Sequence, residues 1–132
     1  MLYLYALSLP ILALLDLAWI GGVAKPFYKA QMGALLSDNP VWAAIVLFYL
    51  LYAAGLVYFV IAPAVAEHNF LKAILAGAFF GLVAYGTYDL TSLAVTPGWS
   101  VWVTAADMAW GTFAGGLTSA LVYWIGVSLI GF

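Results

Sequence analysis

The amino-acid sequence predicts an all-α integral membrane protein, in which four transmembrane helices form an up-down-up-down bundle with both termini on the same side. The first observation is composition: 68% of the 132 residues are hydrophobic and 6% are charged, whereas apolar residues make up roughly 45–50% of a soluble domain. The second observation is that turn-forming residues divide the chain into four apolar stretches. Each stretch has the ~20 residues that a helix needs to cross ~30 Å of hydrocarbon.

The four predicted helices form a single transmembrane domain, residues 1–132, and they cover approximately 2–24, 41–66, 70–93 and 100–130. We expect the first to be an uncleaved helix rather than a signal peptide, because it lacks a basic start and Asp16 interrupts its apolar run. Turn chemistry marks every break. These breaks are Gly21-Gly22 with Pro26, the segment 37–40, the turn 67–69 and Pro97-Gly98.

Charged residues are so few that several functional classes are excluded. Three lysines oppose five acidic residues, so the chain has no basic stripe for nucleic acid, and the lipid bilayer is the partner that the sequence predicts. The absence of cysteine excludes disulfides and thiolate metal sites. His68 is the sole histidine and cannot form a metal site without partners. We therefore predict no cofactor, no metal ligand and no assigned catalytic residue.

Three aspartates lie inside the apolar stretches, where a charged side chain costs at least ~2.5–3.5 kcal/mol. We call the side of the N-terminus side A and the opposite side B. At ~1.5 Å rise per residue, Asp16 and Asp107 lie about 10–12 Å from side B, and Asp89 is shallower. The threading therefore predicts that the three carboxyl groups converge in one leaflet. We expect at least one of them to be protonated at neutral pH, because no Lys or Arg lies deep in any helix.

Aromatic and hydroxyl side chains are predicted at the same level. Tyr49 lies roughly 12 Å from side B with Tyr52 one turn deeper, and Trp19 and Trp110 each follow an aspartate by three residues. Tyr85, Tyr88 and Thr112 offer hydroxyl donors. The predicted binding set is Asp16, Asp89, Asp107, Tyr49, Tyr52, Tyr85, Tyr88, Trp19, Trp110 and Thr112.

Glycines four residues apart mark helices three and four, at Gly77 and Gly81 and at Gly111 and Gly115. Small residues at this spacing let helix backbones approach closely in a membrane. We interpret them as packing seams, and a homo-oligomer through the same glycine-rich faces is the alternative.

Five longer motifs occur along the chain: residues 84–94 (AYGTYDLTSLA), 106–112 (ADMAWGT), 16–19 (DLAW), 26–28 (PFY) and 48–52 (FYLLY). Together they resemble a bacterial family of predicted membrane proteins, known as domain of unknown function 2177. The resemblance covers essentially the whole chain in order and spacing. It implies a four-helix membrane protein without an assigned activity, located in the bacterial inner membrane.

Three functions remain open at this point. The first is binding or transport of a proton, cation, amine or lipid headgroup by the carboxylate cluster. The second is a lipid-modifying enzyme with Asp89 and Asp107 as acid and base and Tyr85 or Tyr88 as proton donor. The sequence disfavours the enzyme because it contains no candidate covalent nucleophile, no set of metal ligands and no phosphate-binding motif. The third is a structural or accessory subunit, in which the acids hold four helices together.

Overall fold

The computed structural model describes residues 2–33 and 41–130, and this part of the chain is helical almost throughout. Within it, four helices are long and apolar enough to cross a membrane. This confirms the predicted all-α fold class. We number the four spans in chain order: Leu2–Gly22, Trp42–Ala66, Phe70–Val95 and Val101–Leu129.

Three spans contain a π-helical turn, and in the first two a proline follows the turn. Helix α1 (Leu2–Trp19) continues through the turn Ile20–Ala24, and helix α3 (Trp42–Leu56) through the turn Val57–Ile61. A proline ring clashes with the carbonyl four residues earlier, and for Pro26 and Pro63 that carbonyl belongs to the turn. The wider turn relieves this clash, so the chain stays helical.

The helix therefore extends beyond the predicted first span. The sequence led us to expect a loop from residue 25 to residue 40, whereas Lys25–Met32 forms the short helix α2. Pro26 lies in the first turn of α2, directly after the π-helical turn, where its fixed φ is compatible with a helix. The predicted break at 37–40 lies outside the described residues.

The two short connections are shaped by capping. After helix α4 (Ala62–Ala66), His68 adopts a positive φ of 49° in an exposed turn on side A. Asn69 caps helix α5 (Phe70–Val95) by accepting from the backbone N–H of Lys72 at 3.0 Å. On side B, Ser100 caps helix α6 (Val101–Ile125) by accepting from the backbone N–H of Val103 at 3.2 Å. These tight turns make successive spans antiparallel neighbours.

Helices α5 and α6 form the closest pair in the bundle. A Cβ added at Gly81 would overlap the carbonyl oxygen of Gly111, and one added at Gly115 would overlap that of Gly77. The glycine faces thus pack against each other inside one chain, as the seam interpretation expects. A homo-oligomer through these same faces stays a prediction, and it would have to share them with this contact.

The second span is close to its neighbours at one end and separate at the other. Its π-helical turn and α4 pack against α5, whereas α3 packs mainly against α1. The apolar core lies in the A half, where Leu56, Ile61 and Val122 are fully buried. Towards side B, α3 diverges from α5, and polar side chains take the place of the core.

Candidate functional site

Asp16 is a buried carboxylate whose two oxygens are both paired. One oxygen accepts a hydrogen bond from the hydroxyl of Tyr49, and the other accepts from Nε1 of Trp110 at 3.0 Å. The donors come from the second and fourth spans, so Asp16 links three of the four spans. A buried carboxylate with good donors is a stable structural anchor.

Trp19 and Trp110 fix the orientation of this anchor. Their rings stack with centroids 4.8 Å apart and planes 5° from parallel. The stack holds the indole N–H of Trp110 against Asp16. Since the rings are in contact, they form a wall rather than two sides of a space for a ligand.

Asp107 is paired by a residue from outside the spans. Tyr28, in α2, donates its hydroxyl hydrogen to Oδ1 of Asp107 at 2.6 Å. Burial, followed by this hydrogen bond and the charge of Asp107, raises the pKa of Tyr28 above its ordinary value. Tyr28 therefore stays a neutral donor at physiological pH. The predicted binding set omitted Tyr28. The sequence signal that could have found it is the PFY motif, which places a tyrosine shortly after the first span.

Asp89 is the least satisfied of the three acids. Its exposed fraction is 1%, and no hydroxyl or N–H donor among the described residues reaches either carboxyl oxygen. Its side chain lies close enough to the carboxyl group of Asp107 for the two to interact electrostatically. Two charged carboxyl groups at such proximity repel each other. In the described part of the chain, no Lys side chain forms an ion pair with any of the three acids.

The remaining tyrosines of the predicted set surround the acids. Tyr85 lies close enough to Asp16, Asp107 and Tyr52 to interact electrostatically with each. The ring of Tyr52 meets that of Tyr85 edge-on at 6.2 Å. The hydroxyl of Tyr52 is buried and has no hydrogen-bond partner within residues 2–33 and 41–130. Tyr88 lies near Asp89 and Asp107 and packs edge-on against Trp99 at 5.6 Å.

Thr112 differs from the other members of the set. Its hydroxyl donates to the backbone carbonyl of Met108 at 2.9 Å, one turn earlier in its own helix. This local bond is common for threonine in helices and engages the hydroxyl hydrogen. We therefore leave Thr112 out of the site.

A cavity of about 580 Å³ lies beside the acids, where α3 diverges from α5. Asp107 contributes the carboxyl group of its lining, and three tyrosines and a phenylalanine supply the aromatic surface. All four spans contribute to its wall, which consists of Ile20, Ala44, Ile45, Phe48, Tyr49, Ala84, Tyr85, Tyr88 and Asp107.

A family model described as "Predicted membrane protein (DUF2177)" matches residues 1–124 of this 132-residue chain. The chain belongs to the DUF2177 family. No curated protein and no solved structure matches it. The match confirms the resemblance seen in the motifs, and with the four spans it makes this DUF2177 protein a multi-pass integral membrane protein. Its function has to be argued from the site.

The chemistry available to this DUF2177 protein follows from the uneven pairing of its acids. Among the described residues, no group of three or more His, Cys, Asp or Glu side chains could hold a metal ion. Asp16 has a donor on each oxygen, whereas Asp107 has one donor and Asp89, close to it, has none from the described residues. Such a pair can hold a proton, or it can release that proton and hold another cation.

Proposed function

We propose that this protein is a membrane binding or carrier protein whose Asp89–Asp107 pair holds a proton when empty and an ammonium group when loaded. The observation that carries the proposal is Asp89, which is buried without a hydroxyl or N–H donor from any described residue. Burying an unpaired polar group costs free energy, and a chain keeps an intramembrane acid chiefly where it has a use. A ligand N–H would supply the missing donor.

The cavity lining supports an organic cation. Phe48, Tyr49, Tyr85 and Tyr88 present aromatic surface beside the carboxyl group of Asp107. Aromatic faces attract ammonium groups by about 0.5–2 kcal/mol each, and more strongly where water is excluded. An amine would thus meet a carboxylate and aromatic rings together, which is the combination that favours a cation with an apolar body.

The accessory function fits one acid and leaves another unexplained. Asp16, with donors from two other spans, behaves as a structural anchor should. A purely structural role for Asp89 would give it comparable partners, and the described residues supply none. We therefore assign Asp16 to the framework and Asp89 with Asp107 to the ligand. The resemblance to a bacterial family supports placing the protein in a bacterial inner membrane.

Ligand-dependent stability tests this proposal. Purified protein in detergent is unfolded thermally at pH 8 with ethylamine, tetramethylammonium or Na⁺, beside Asp89→Asn and Asp107→Asn. A ligand that binds only the folded state at a hundredfold excess over Kd stabilises it by about 2.7 kcal/mol. We expect the amines to raise the midpoint in the wild type and in neither variant.

Glu67→Gln is the matched control, because Glu67 is an exposed acid on side A, paired with Lys72. It should keep the full amine response. A midpoint that no cation changes, or a shift that persists in both aspartate variants, would contradict the proposal.

A further inference from the structure

Part of the cavity lining consists of exposed apolar side chains. The cavity lies where α3 separates from α5, and its apolar lining includes the exposed residues Ile20, Ala44 and Phe48. Exposed apolar side chains on a membrane span face hydrocarbon. A molecule in the B leaflet can therefore reach Asp107 by moving between the second and third spans.

The approach from water on side B is covered by α2. Tyr28 holds this helix to Asp107 at 2.6 Å, and the hydroxyl of Ser100 donates to the side-chain oxygen of Gln31 at 3.0 Å. Both bonds join α2 to the start of the fourth span, directly above the acids. From side A, the fully buried core residues Leu56, Ile61 and Val122 separate the site from water. Among the described residues, α2 on side B and the apolar core on side A thus lie between the acids and the two aqueous sides.

We propose that the ligand is a single-chain alkylamine that enters sideways from the B leaflet, with its ammonium group against Asp107 and Asp89 and its chain along the crevice. This inference rests on the proposed cation-binding function and adds the ligand class and the route. Charge complementarity supports the headgroup, since the carboxyl group of Asp107 lines the cavity and the buried carboxyl group of Asp89 lies close to that of Asp107. The apolar crevice supports the chain, because a small hydrophilic amine would leave that lining uncovered.

The size of the cavity agrees with such a ligand. Small-molecule sites enclose about 300–1,000 Å³ and are mostly apolar, with a few polar groups that set the orientation. At about 580 Å³, this cavity holds a headgroup and the first part of a chain. The rest of the alkyl chain can continue between α3 and α5 into the bilayer. Amines whose chains are longer than the cavity can therefore also bind.

A chain-length series is the first test. Ethylamine, butylamine, hexylamine and octylamine are bound to the wild type in lipid nanodiscs, and affinity is referred to the free aqueous concentration measured by equilibrium dialysis. If the alkyl chain of the bound amine lies in an apolar environment, the affinity should increase about fourfold per methylene, the equivalent of ~0.8 kcal/mol. Binding that is equally weak along the series would overturn the inference, because the chain would then extend into water.

A matched pair of variants locates the chain in the crevice. Ala44 lines the cavity, whereas its neighbour Ala43 is equally exposed on α3 and does not belong to the described lining. Ala44→Phe should weaken octylamine binding at least tenfold and leave ethylamine within twofold. Ala43→Phe should change neither, and unchanged thermal midpoints show that both variants fold.

The outcomes separate this inference from the function on which it rests. If ethylamine binds in a manner that needs Asp107, but neither chain length nor Ala44→Phe matters, the lateral route is wrong and the cation site stands. If no amine binds at any length, the proposed function fails and this inference fails with it. If Ala43→Phe and Ala44→Phe weaken octylamine equally, the chain lies elsewhere and the inference is overturned.

Discussion

Asp16 and Asp89 are both buried carboxyl groups in the same half of the bundle, with exposed fractions of 8% and 1%. Asp16 receives a hydroxyl and an indole N–H from two other spans. Asp89 receives no such donor from the described residues and meets the carboxyl group of Asp107 instead. The two acids are both buried but differ in their hydrogen bonds, which indicates different roles. Asp16 receives its donors from within the protein, whereas the Asp89–Asp107 pair needs a proton or a ligand.

The spans show the same contrast at a larger scale. Around the glycines of α5 and α6 the backbones are in contact. Between α3 and α5 the helices diverge and leave a cavity. The tightly packed α5–α6 pair is thus a framework, and the cavity beside it is a candidate binding site. Substitutions in the framework should lower stability, whereas substitutions in the site should lower binding.

The largest effect should come from the glycine seam. Gly81→Ala places a Cβ onto the carbonyl oxygen of Gly111, which is backbone and cannot move aside without separating α5 from α6. We expect a loss of about 3 kcal/mol or more, or failure to fold, measured by unfolding in mixed detergent. Gly22→Ala is the control, since a Cβ there meets nothing within 4 Å. Equal stability of the two variants would show that the seam is not tight.

A medium effect should separate the two aspartates. Asp16→Asn replaces an acceptor with an N–H₂ group opposite one of its donors, so a buried donor loses its partner at a cost of about 1–3 kcal/mol. Asp89→Asn loses no donor from the described chain and removes the repulsion between two neighbouring carboxyl groups. We expect its stability within about 1 kcal/mol of the wild type. If the two variants are equally destabilised, the division between anchor and site is wrong.

The smallest effect concerns Tyr28. Tyr28→Phe removes the hydrogen bond to Asp107 and should cost about 1 kcal/mol at pH 8. Because the folded pKa of Tyr28 lies above its ordinary value of about 10, this contribution is fully present below pH 10 and is lost as pH rises beyond it. The stability difference between wild type and variant should therefore shrink from pH 8 to pH 11. A difference that stays constant or grows would contradict this account of the hydrogen bond, in which Tyr28 faces Asp107 and Asp89.

Much of the site was predictable because helical rise is a local property. Residue spacing along an apolar stretch sets depth, so spacing alone places Asp16, Asp107 and Tyr49 at one level. The partner of each acid was harder to predict. Tyr28 was missed because it lies beyond the first span, in a segment expected to be a loop. Thr112 was included for its depth, whereas its hydroxyl bonds to its own helix.

The sequence by itself determined four apolar spans, the glycine seam and the half of the bundle that holds the acids, since run length, residue size and rise per residue depend on nearby positions in the chain. The tertiary structure decided that Asp16 is satisfied and Asp89 is not, and that a crevice opens between α3 and α5. These features depend on how each helix is rotated and tilted after the π-helical turns near Pro26 and Pro63. Rotation and tilt are set when all four helices pack together, because only then do donors from distant parts of the chain meet an acceptor.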